Sequence, residues 1–265
     1  MIEMCNYIHS FFIFAQKSKM ETAKSRRTIR KYKSQDIDAD LLNHLLDTAC
    51  RASTCGNMQL YSIVVTRSQQ QKELLSPAHF NQPMVKGAPV VLTFCADFNR
   101  FSKWCKQRNA VPGYDNFQSF MNAAMDTLIV VQTFCMLAEE KGLGICYLGT
   151  TTYNPQMIIE ALNLPELVFP ITTVTVGYPD ECPNQVDRLP LQAVLHQEGY
   201  HDYTVGEIDK LFAYKESLPE NKQFVVENKK ETLAQVFTDI RYTKKDNELM
   251  SANMMEVLKK QGFLK

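Results

Sequence analysis

The residue types best suited to binding an anion are concentrated in one short segment. Residues 25–30 read Ser-Arg-Arg-Thr-Ile-Arg, which places three guanidinium groups and two hydroxyl groups within six positions. Guanidinium groups donate charge-assisted hydrogen bonds in pairs, and their planar geometry matches phosphate oxygens. The segment therefore predicts a site for a phosphate or a polyhydroxyl chain, with a solvated arginine-rich surface as the alternative interpretation.

A second polar segment follows at residues 51–59, which read Arg-Ala-Ser-Thr-Cys-Gly-Asn-Met-Gln. It comes directly after a helical pattern and carries short hydroxyl, thiol and carboxamide side chains. Such groups could hydrogen-bond the polar edge of an isoalloxazine ring. Neither segment is diagnostic by itself, but their order and spacing together resemble two walls of a flavin mononucleotide (FMN) site.

Regular elements must hold these two segments in place. Leucines recur at helical spacing after Asp38, a good N-cap residue, so a helix is predicted to end near Arg51. The polar segment is thereby expected on a helix-to-strand loop. A further short helix is predicted at 155–162. Apolar, β-branched runs predict four strands, of which the second should be deeply buried: 61–66, 89–96, 145–149 and 171–176.

The longest predicted helix spans 121–140 and is apolar over much more than one face. A helix this apolar is buried in a core or at a subunit interface. Beyond Pro190 the sequence becomes charged, with sparse apolar anchors, which suggests an extension that wraps around a body. Its last part, 248–261, has apolar residues at helical spacing and predicts a surface helix.

The length, charge balance and cysteine content of the chain limit its domain organisation and the classes of molecule it is expected to bind. The chain has 265 residues, so one large domain with an appendage is expected. Lys+Arg and Asp+Glu are balanced at 29 each, which argues against nucleic acid and membrane partners and favours a small molecule. The eight cysteines are scattered without a Cys-x-x-Cys pair, which is typical of reduced thiols in a cytoplasmic protein.

The first nineteen residues contain an apolar run, 7–15, that is too short to span a bilayer and has no basic segment before it. We expect translation to start at Met20, which would make 1–19 a non-native or disordered extension. A membrane-contacting extension is the alternative.

Three further motifs complete a family pattern: Gly-Leu-Gly-Ile-Cys-Tyr-Leu-Gly at 142–149, Val-Gly-Tyr-Pro at 176–179 and Arg-Leu-Pro at 188–190. In this order, all five motifs resemble the FMN-dependent nitroreductases, in particular the oxygen-insensitive NADPH nitroreductase and flavin reductase branch. The resemblance implies an α+β fold with a mixed central sheet flanked by helices. It also implies an FMN-binding core at 20–190, a C-terminal extension at 191–265 that packs on the dimer, and a homodimer with two FMN sites at its interface.

The resemblance assigns candidate cofactor-binding residues by position. The phosphate and ribityl chain are expected to meet Arg26, Arg27, Thr28, Arg30 and Arg188. The flavin is expected to be lined by Ser53, Thr54, Cys55 and Asn57, with Gln59 nearby across the interface. Gln82 matches a position near the pyrimidine edge, and the backbone of Leu148, Gly149 and Thr150 matches the segment that faces flavin N5. Cys55 is interpreted as a small lining residue in preference to a redox thiol.

The family's reaction is ping-pong: NAD(P)H passes hydride to FMN, and two electrons then go to a nitroaromatic, a quinone or a flavin. The resemblance implies no catalytic side chain, because flavin N5 carries the chemistry, and we expect no metal, since the spacing of His196 and His201 fits neither a helix face nor a strand face. NADPH is favoured over NADH by basic residues of the extension, such as Arg241. The alternatives are a non-catalytic or regulatory flavin-binding dimer and a same-fold flavoenzyme with a different oxidation reaction.

One position departs from the family pattern. Val186 stands where the family usually has a lysine near the flavin, two residues before Arg188. A lost cation weakens stabilisation of an anionic reduced flavin. The positive charge of Arg30 is the candidate to replace the missing lysine cation.

Overall fold

The computed structural model describes residues 19–264, so nearly all of the expected extension at 1–19 lies outside the described residues. The chain divides into two compact units. The first contains the residues up to Asn184 together with those from Asn253 onward, and the second is Gln185–Ala252.

The first unit is built on a sheet of four strands, β1 (Tyr61–Thr66), β2 (Val90–Asp97), β3 (Gly144–Leu148) and β4 (Val168–Gly177). Their order is β1-β2-β4-β3, and every pairing among them is antiparallel. With its helices this sheet confirms the α+β fold. The parallel pairing of a mixed sheet does not occur between the described strands, because β4 lies between β2 and β3 and runs opposite to both.

Helices precede, connect and follow the strands of this unit. In chain order they are α1 (Lys19–Ser25), α2 (Ala39–Ala49), α3 (Gln69–Leu75), α4 (Pro83–Gly87), α5 (Asn99–Gln107), α6 (Phe117–Glu140) and α7 (Pro155–Leu162). The predicted cap of α2 is confirmed, since the Asp38 side chain accepts a hydrogen bond from the Leu41 backbone at 3.0 Å. One core cluster joins α2 and α6 to one face of the sheet, and another joins α3, α4 and α7 to the other face.

Helix α6 is the predicted long helix, and it begins four residues earlier than expected because Asn116 caps it and accepts from the Ser119 backbone at 3.0 Å. One face of α6 is buried in the core, including Val130, Val131 and Phe134. In the part of the chain that the structure describes, this is the one helix with the length and apolarity of a membrane span. Half of that window is buried within the protein.

The second unit is helical. It contains α8 (Val205–Ser217), α9 (Pro219–Glu227), α10 (Leu233–Val236) and the first part of α11 (Lys244–Lys260), whose last turns belong to the first unit. Helix α8 begins with a capping box in which the side chains of Thr204 and Glu207 satisfy each other's backbone N–H groups. The predicted surface helix at 248–261 is confirmed as the greater part of α11.

Candidate functional site

The arginine segment follows α1 and runs beside strand β3. The backbone N–H of Ile29 donates to the Ile145 carbonyl at 3.0 Å. The close approach needs a glycine opposite, because a Cβ on Gly144 would lie 2.7 Å from the Ile29 side chain. The segment is thereby fixed along the strand that ends at Leu148.

The arginines of this segment have different surroundings. Arg26 lies with its Nε 3.5 Å from Glu139 Oε1 of helix α6. Burial raises the pKa of Glu139 to about 7, and the Arg26 charge opposes that shift. Arg27 donates from Nη1 to the Ser25 carbonyl at 2.9 Å, whereas its buried Nε has no hydrogen-bond partner among the described residues.

The other two members of the segment are more accessible. Thr28 is half-buried and Arg30 is exposed. The backbone N–H of Arg30 donates to Glu181 Oε1 at 2.5 Å, and this hydrogen bond holds the pKa of that carboxyl below its usual range. The Arg30 side chain also faces Cys146 of β3, where its charge opposes the rise that burial causes in the pKa of the thiol.

The second polar segment forms a tight loop between α2 and β1, as predicted. Its side chains at Ser53, Cys55, Asn57 and Gln59 are exposed, and Thr54 is half-buried. The loop is attached to helix α6 through Asp126, whose carboxylate accepts from the Thr54 hydroxyl and from the Cys55 backbone N–H at 2.8 Å.

The third candidate group lies where two turns meet. Gln82 is half-buried and directly precedes α4. Leu148 ends β3, and the turn that follows begins with Gly149, which is exposed, and Thr150, which is half-buried. The two turns are joined by His79, whose Nδ1 lies 2.9 Å from Thr150 Oγ1. A Cβ on Gly149 would meet nothing within 4 Å, so this backbone borders open space.

Arg188 belongs to the second unit. It is exposed, and its Nη1 donates to the Asp187 carbonyl at 2.9 Å. Within the same unit the Lys215 ammonium lies 2.9 Å from the Asp187 carboxylate, and Val186 is 71% exposed.

Two of the three groups in the first unit adjoin each other, and the third is separate. The arginine segment lies beside β3, and the Leu148–Thr150 turn begins where β3 ends. The loop at 53–59 instead contacts α6 at Asp126, which lies about 20 Å along the helix from Glu139 at about 1.5 Å per residue. A single chain therefore presents one donor cluster near the C-terminal end of α6 and the other near its middle.

Three site residues were not predicted from the sequence. Asp126 could have been found, because a lone acid within an apolar helix needs a buried partner. His79 belongs to none of the sequence motifs, and Glu139 has neighbours that are distant in sequence. No group of three His, Cys, Asp or Glu side chains within the described residues could hold a metal ion.

His196 has both ring nitrogens engaged inside the second unit. Its Nδ1 accepts from the His201 backbone at 3.2 Å, and its Nε2 lies 3.2 Å from the Tyr203 hydroxyl. Because that hydroxyl donates to the Ala193 carbonyl at 2.8 Å, the Nε2 position carries the proton. His196 thus stabilises the loop before α8.

Curated relatives are similar over most of the chain. An "FMN reductase [NAD(P)H]" of Bacillus subtilis strain 168 is 30% identical over 250 residues, which covers 92% of this chain and 97% of that protein. An "FMN reductase (NADPH)" of the same strain is 32% identical over 69% of this chain and 74% of that protein.

Solved structures are similar in fold over the same range. A crystal structure of a proposed oxidoreductase from Bacteroides fragilis NCTC 9343 has a TM-score of 0.92 and 73% identity, covering 93% of this chain and all of that one. The NfrA1 nitroreductase of B. subtilis has a TM-score of 0.82 and 27% identity, covering 93% and 99%. The family model described as "Nitroreductase family" matches residues 23–178, which is more than half of the sequence. The chain belongs to the nitroreductase family.

Proposed function

We propose that this protein is an FMN-dependent oxidoreductase that takes hydride from NAD(P)H and delivers two electrons to a nitroaromatic, a quinone or a flavin. The observation that carries the proposal is the arginine segment 26–30, fixed beside β3 within an identified nitroreductase domain. The names of the Bacillus relatives, which are FMN reductases, support the same cofactor and the same reductant.

The residues present fit FMN. Arg27 holds a buried N–H at Nε that has no acceptor among the described residues, and burying such a donor is costly unless an acceptor meets it. A phosphate or ribityl oxygen provides that acceptor. Arg26, Thr28 and Arg30 supply further donors on the same stretch of chain, and Arg188 is the candidate of the second unit.

The remaining candidates suit the ring of the cofactor. Exposed polar side chains at Ser53, Cys55 and Asn57 offer donors and acceptors to its heteroatoms, Gln82 offers a carboxamide, and the open backbone at Gly149 allows a flat group to approach closely. When bound, FMN supplies the two-electron chemistry, while the protein supplies binding, orientation and electrostatics.

We infer that the working unit is a homodimer in the cytoplasm. Helix α6 presents an exposed apolar stripe that a water-soluble monomer would leave uncovered. The exposed residues of this stripe are Phe117, Met121, Met125, Leu128, Ile129 and Met136. We propose that two copies pack through this stripe and that the loop 53–59 of one chain completes the site of the other, which agrees with Gln59 acting across the interface.

The proposal is tested by steady-state kinetics and by FMN binding. Initial rates with NADPH or NADH against a quinone, a nitroaromatic or FMN should give parallel double-reciprocal lines, the pattern of a ping-pong reaction. Arg27→Ala should raise the FMN Kd by about 10-fold or more, because it removes charge-assisted hydrogen bonds. Arg108→Ala, an exposed arginine whose side chain donates to the Gln107 carbonyl at 3.4 Å, should change the FMN Kd less than about twofold.

Two results would count against this function. Bound FMN that neither nucleotide reduces would favour a flavin-binding or regulatory dimer. Reduction by NAD(P)H without turnover of any of these acceptors would favour a same-fold flavoenzyme with a different oxidation reaction.

A further inference from the structure

Asp126 lies in the middle of the apolar helix α6, and only 3% of its surface is exposed. Its carboxylate accepts three hydrogen bonds, all from one short stretch of chain. The donors are the Thr54 hydroxyl, the Cys55 backbone N–H at 2.8 Å and the Leu60 backbone N–H at 3.2 Å. No salt bridge reaches Asp126 from residues 19–264, so hydrogen bonds from this loop stabilise the buried acid.

The Thr54 hydroxyl extends this network to the far side of the loop. It donates to Asp126 and accepts from the Gln59 backbone N–H at 2.9 Å. The backbone between these points is left-handed at Asn57 and Gln59, with φ of 56° and 54°. Non-glycine residues adopt this conformation uncommonly, and glutamine less readily than asparagine, so at Gln59 it needs support from surrounding contacts. The carboxylate and the hydroxyl are the groups that fix it here.

We propose that Asp126 is a positioning residue that holds the loop 53–59 in its ligand-facing shape before FMN arrives. The inference rests on the proposed function, since the loop is a candidate wall of the FMN site. It changes the role of Thr54, whose hydroxyl proton is already used within the protein. Thr54 connects the loop to helix α6, and the exposed side chains of Ser53, Cys55 and Asn57 are left to meet the cofactor.

An Asp126→Asn variant breaks this arrangement without changing its size. The carboxylate meets a backbone N–H at each oxygen, from Cys55 at Oδ1 and from Leu60 at Oδ2. An amide has one oxygen and one NH₂ group, so either orientation points its NH₂ at a backbone donor. One buried N–H is left without an acceptor, and the loop loses one of its fixed points.

The first test is the affinity for FMN, measured by quenching of flavin fluorescence with the full-length protein. We expect Asp126→Asn and Thr54→Val to raise the FMN Kd by about tenfold, and Thr54→Ser, which keeps the hydroxyl, to restore it. Val131→Ala is the matched control, because it removes fully buried volume from the same helix and its side chain has no polar atom that could hydrogen-bond the loop. The control should lower the melting temperature and leave the Kd within about twofold.

The second test does not depend on the cofactor. Hydrogen exchange followed by mass spectrometry on peptides covering 53–60 should show at least about tenfold faster exchange in Asp126→Asn and Thr54→Val, and wild-type exchange in Val131→Ala. A wild-type protein that binds no FMN would refute the proposed function, yet this measurement would still test the role of Asp126.

The inference would be overturned by wild-type exchange in both loop variants. It would equally be overturned if FMN affinity fell as much in Val131→Ala as in Asp126→Asn, since that would make the effect one of general destabilisation. Should Asp126→Asn not fold, the pair Thr54→Val and Thr54→Ser decides the question in the same two assays.

Discussion

The imidazole Nδ1 of His79 lies 2.9 Å from the hydroxyl of Thr150, and this contact joins the turn before Gln82 to the turn after β3. His79 is fully buried, and its Nε2 has no hydrogen-bond partner among the described residues. Burial disfavours the charged ring and lowers the pKa of His79 from 6.5 to about 4. The two turns are therefore joined by a neutral histidine at neutral pH.

This histidine should make stability depend on pH. Between pH 6.5 and 4 the unfolded chain binds a proton at His79 that the folded chain does not, so stability falls as the pH falls through this window. The shift corresponds to about 3 kcal/mol. We expect His79→Asn, which places a polar atom near the Nδ1 position and does not titrate, to lose this part of the slope in urea unfolding at pH 4.5, 5.5 and 7. Exposed His44→Asn should keep the wild-type slope, and an unchanged slope in His79→Asn would contradict the assignment.

Glu139 should act in the opposite direction. Its pKa is raised to about 7 in the folded protein, so the folded state binds the extra proton and stability is lost as the pH rises from 4.5 through 7. Glu139→Gln removes this loss. The free energy of unfolding of the variant, relative to wild type, should therefore increase by about 1–3 kcal/mol between pH 5 and pH 8. The same comparison with exposed Glu73→Gln should stay flat, and a flat difference for Glu139→Gln would show that the buried acid does not titrate there.

The apolar stripe of α6 predicts the oligomeric state. Leu128 is 46% exposed in the chain, and a charge at this position would be buried without a partner in a dimer. Leu128→Glu should shift the molar mass measured by light scattering from dimer towards monomer. Met157→Glu, an equally exposed apolar residue on α7, is the control and should remain dimeric. Identical masses for the two variants would mean that α6 is not the interface.

The arginine segment packs so closely against β3 that position 144 has no room for a side chain. A methyl group there would lie 2.7 Å from the Ile29 side chain, so Gly144→Ala must displace the segment or the strand. The expected cost is about 1–3 kcal/mol of unfolding free energy, as for other overpacked sites. Gly87→Ala, whose added methyl group meets nothing within 4 Å, should be close to neutral. A neutral Gly144→Ala would show that the segment adapts freely.

Periodic features of the sequence predicted the elements well. The leucine repeat before Arg51 and the β-branched runs of β1 and β4 report local preferences, and the structure confirms them. Such local patterns do not predict the order of the strands, because strand order depends on contacts between residues far apart in the sequence. The structure places β4 between β2 and β3 with antiparallel pairing throughout, so the described strands do not form the expected mixed sheet.

The arrangement of the site was less accessible from the sequence. The motifs identified the arginine segment and the loop 53–59, which contact α6 near its C-terminal end and near its middle, respectively. The contacts that shape them join Thr54 to Asp126, Arg26 to Glu139 and His79 to Thr150, and each pair is far apart in the chain. The roles of the candidate cofactor-binding residues remain predictions.

The most direct test of the central claim is an absorbance spectrum of the purified protein, loaded with FMN if necessary, before and after anaerobic addition of NADPH and then NADH. We predict a flavin band that bleaches with a pyridine nucleotide and returns when a quinone or a nitroaromatic is added. A protein that cannot be loaded with FMN, or whose flavin band neither nucleotide bleaches, would contradict the account.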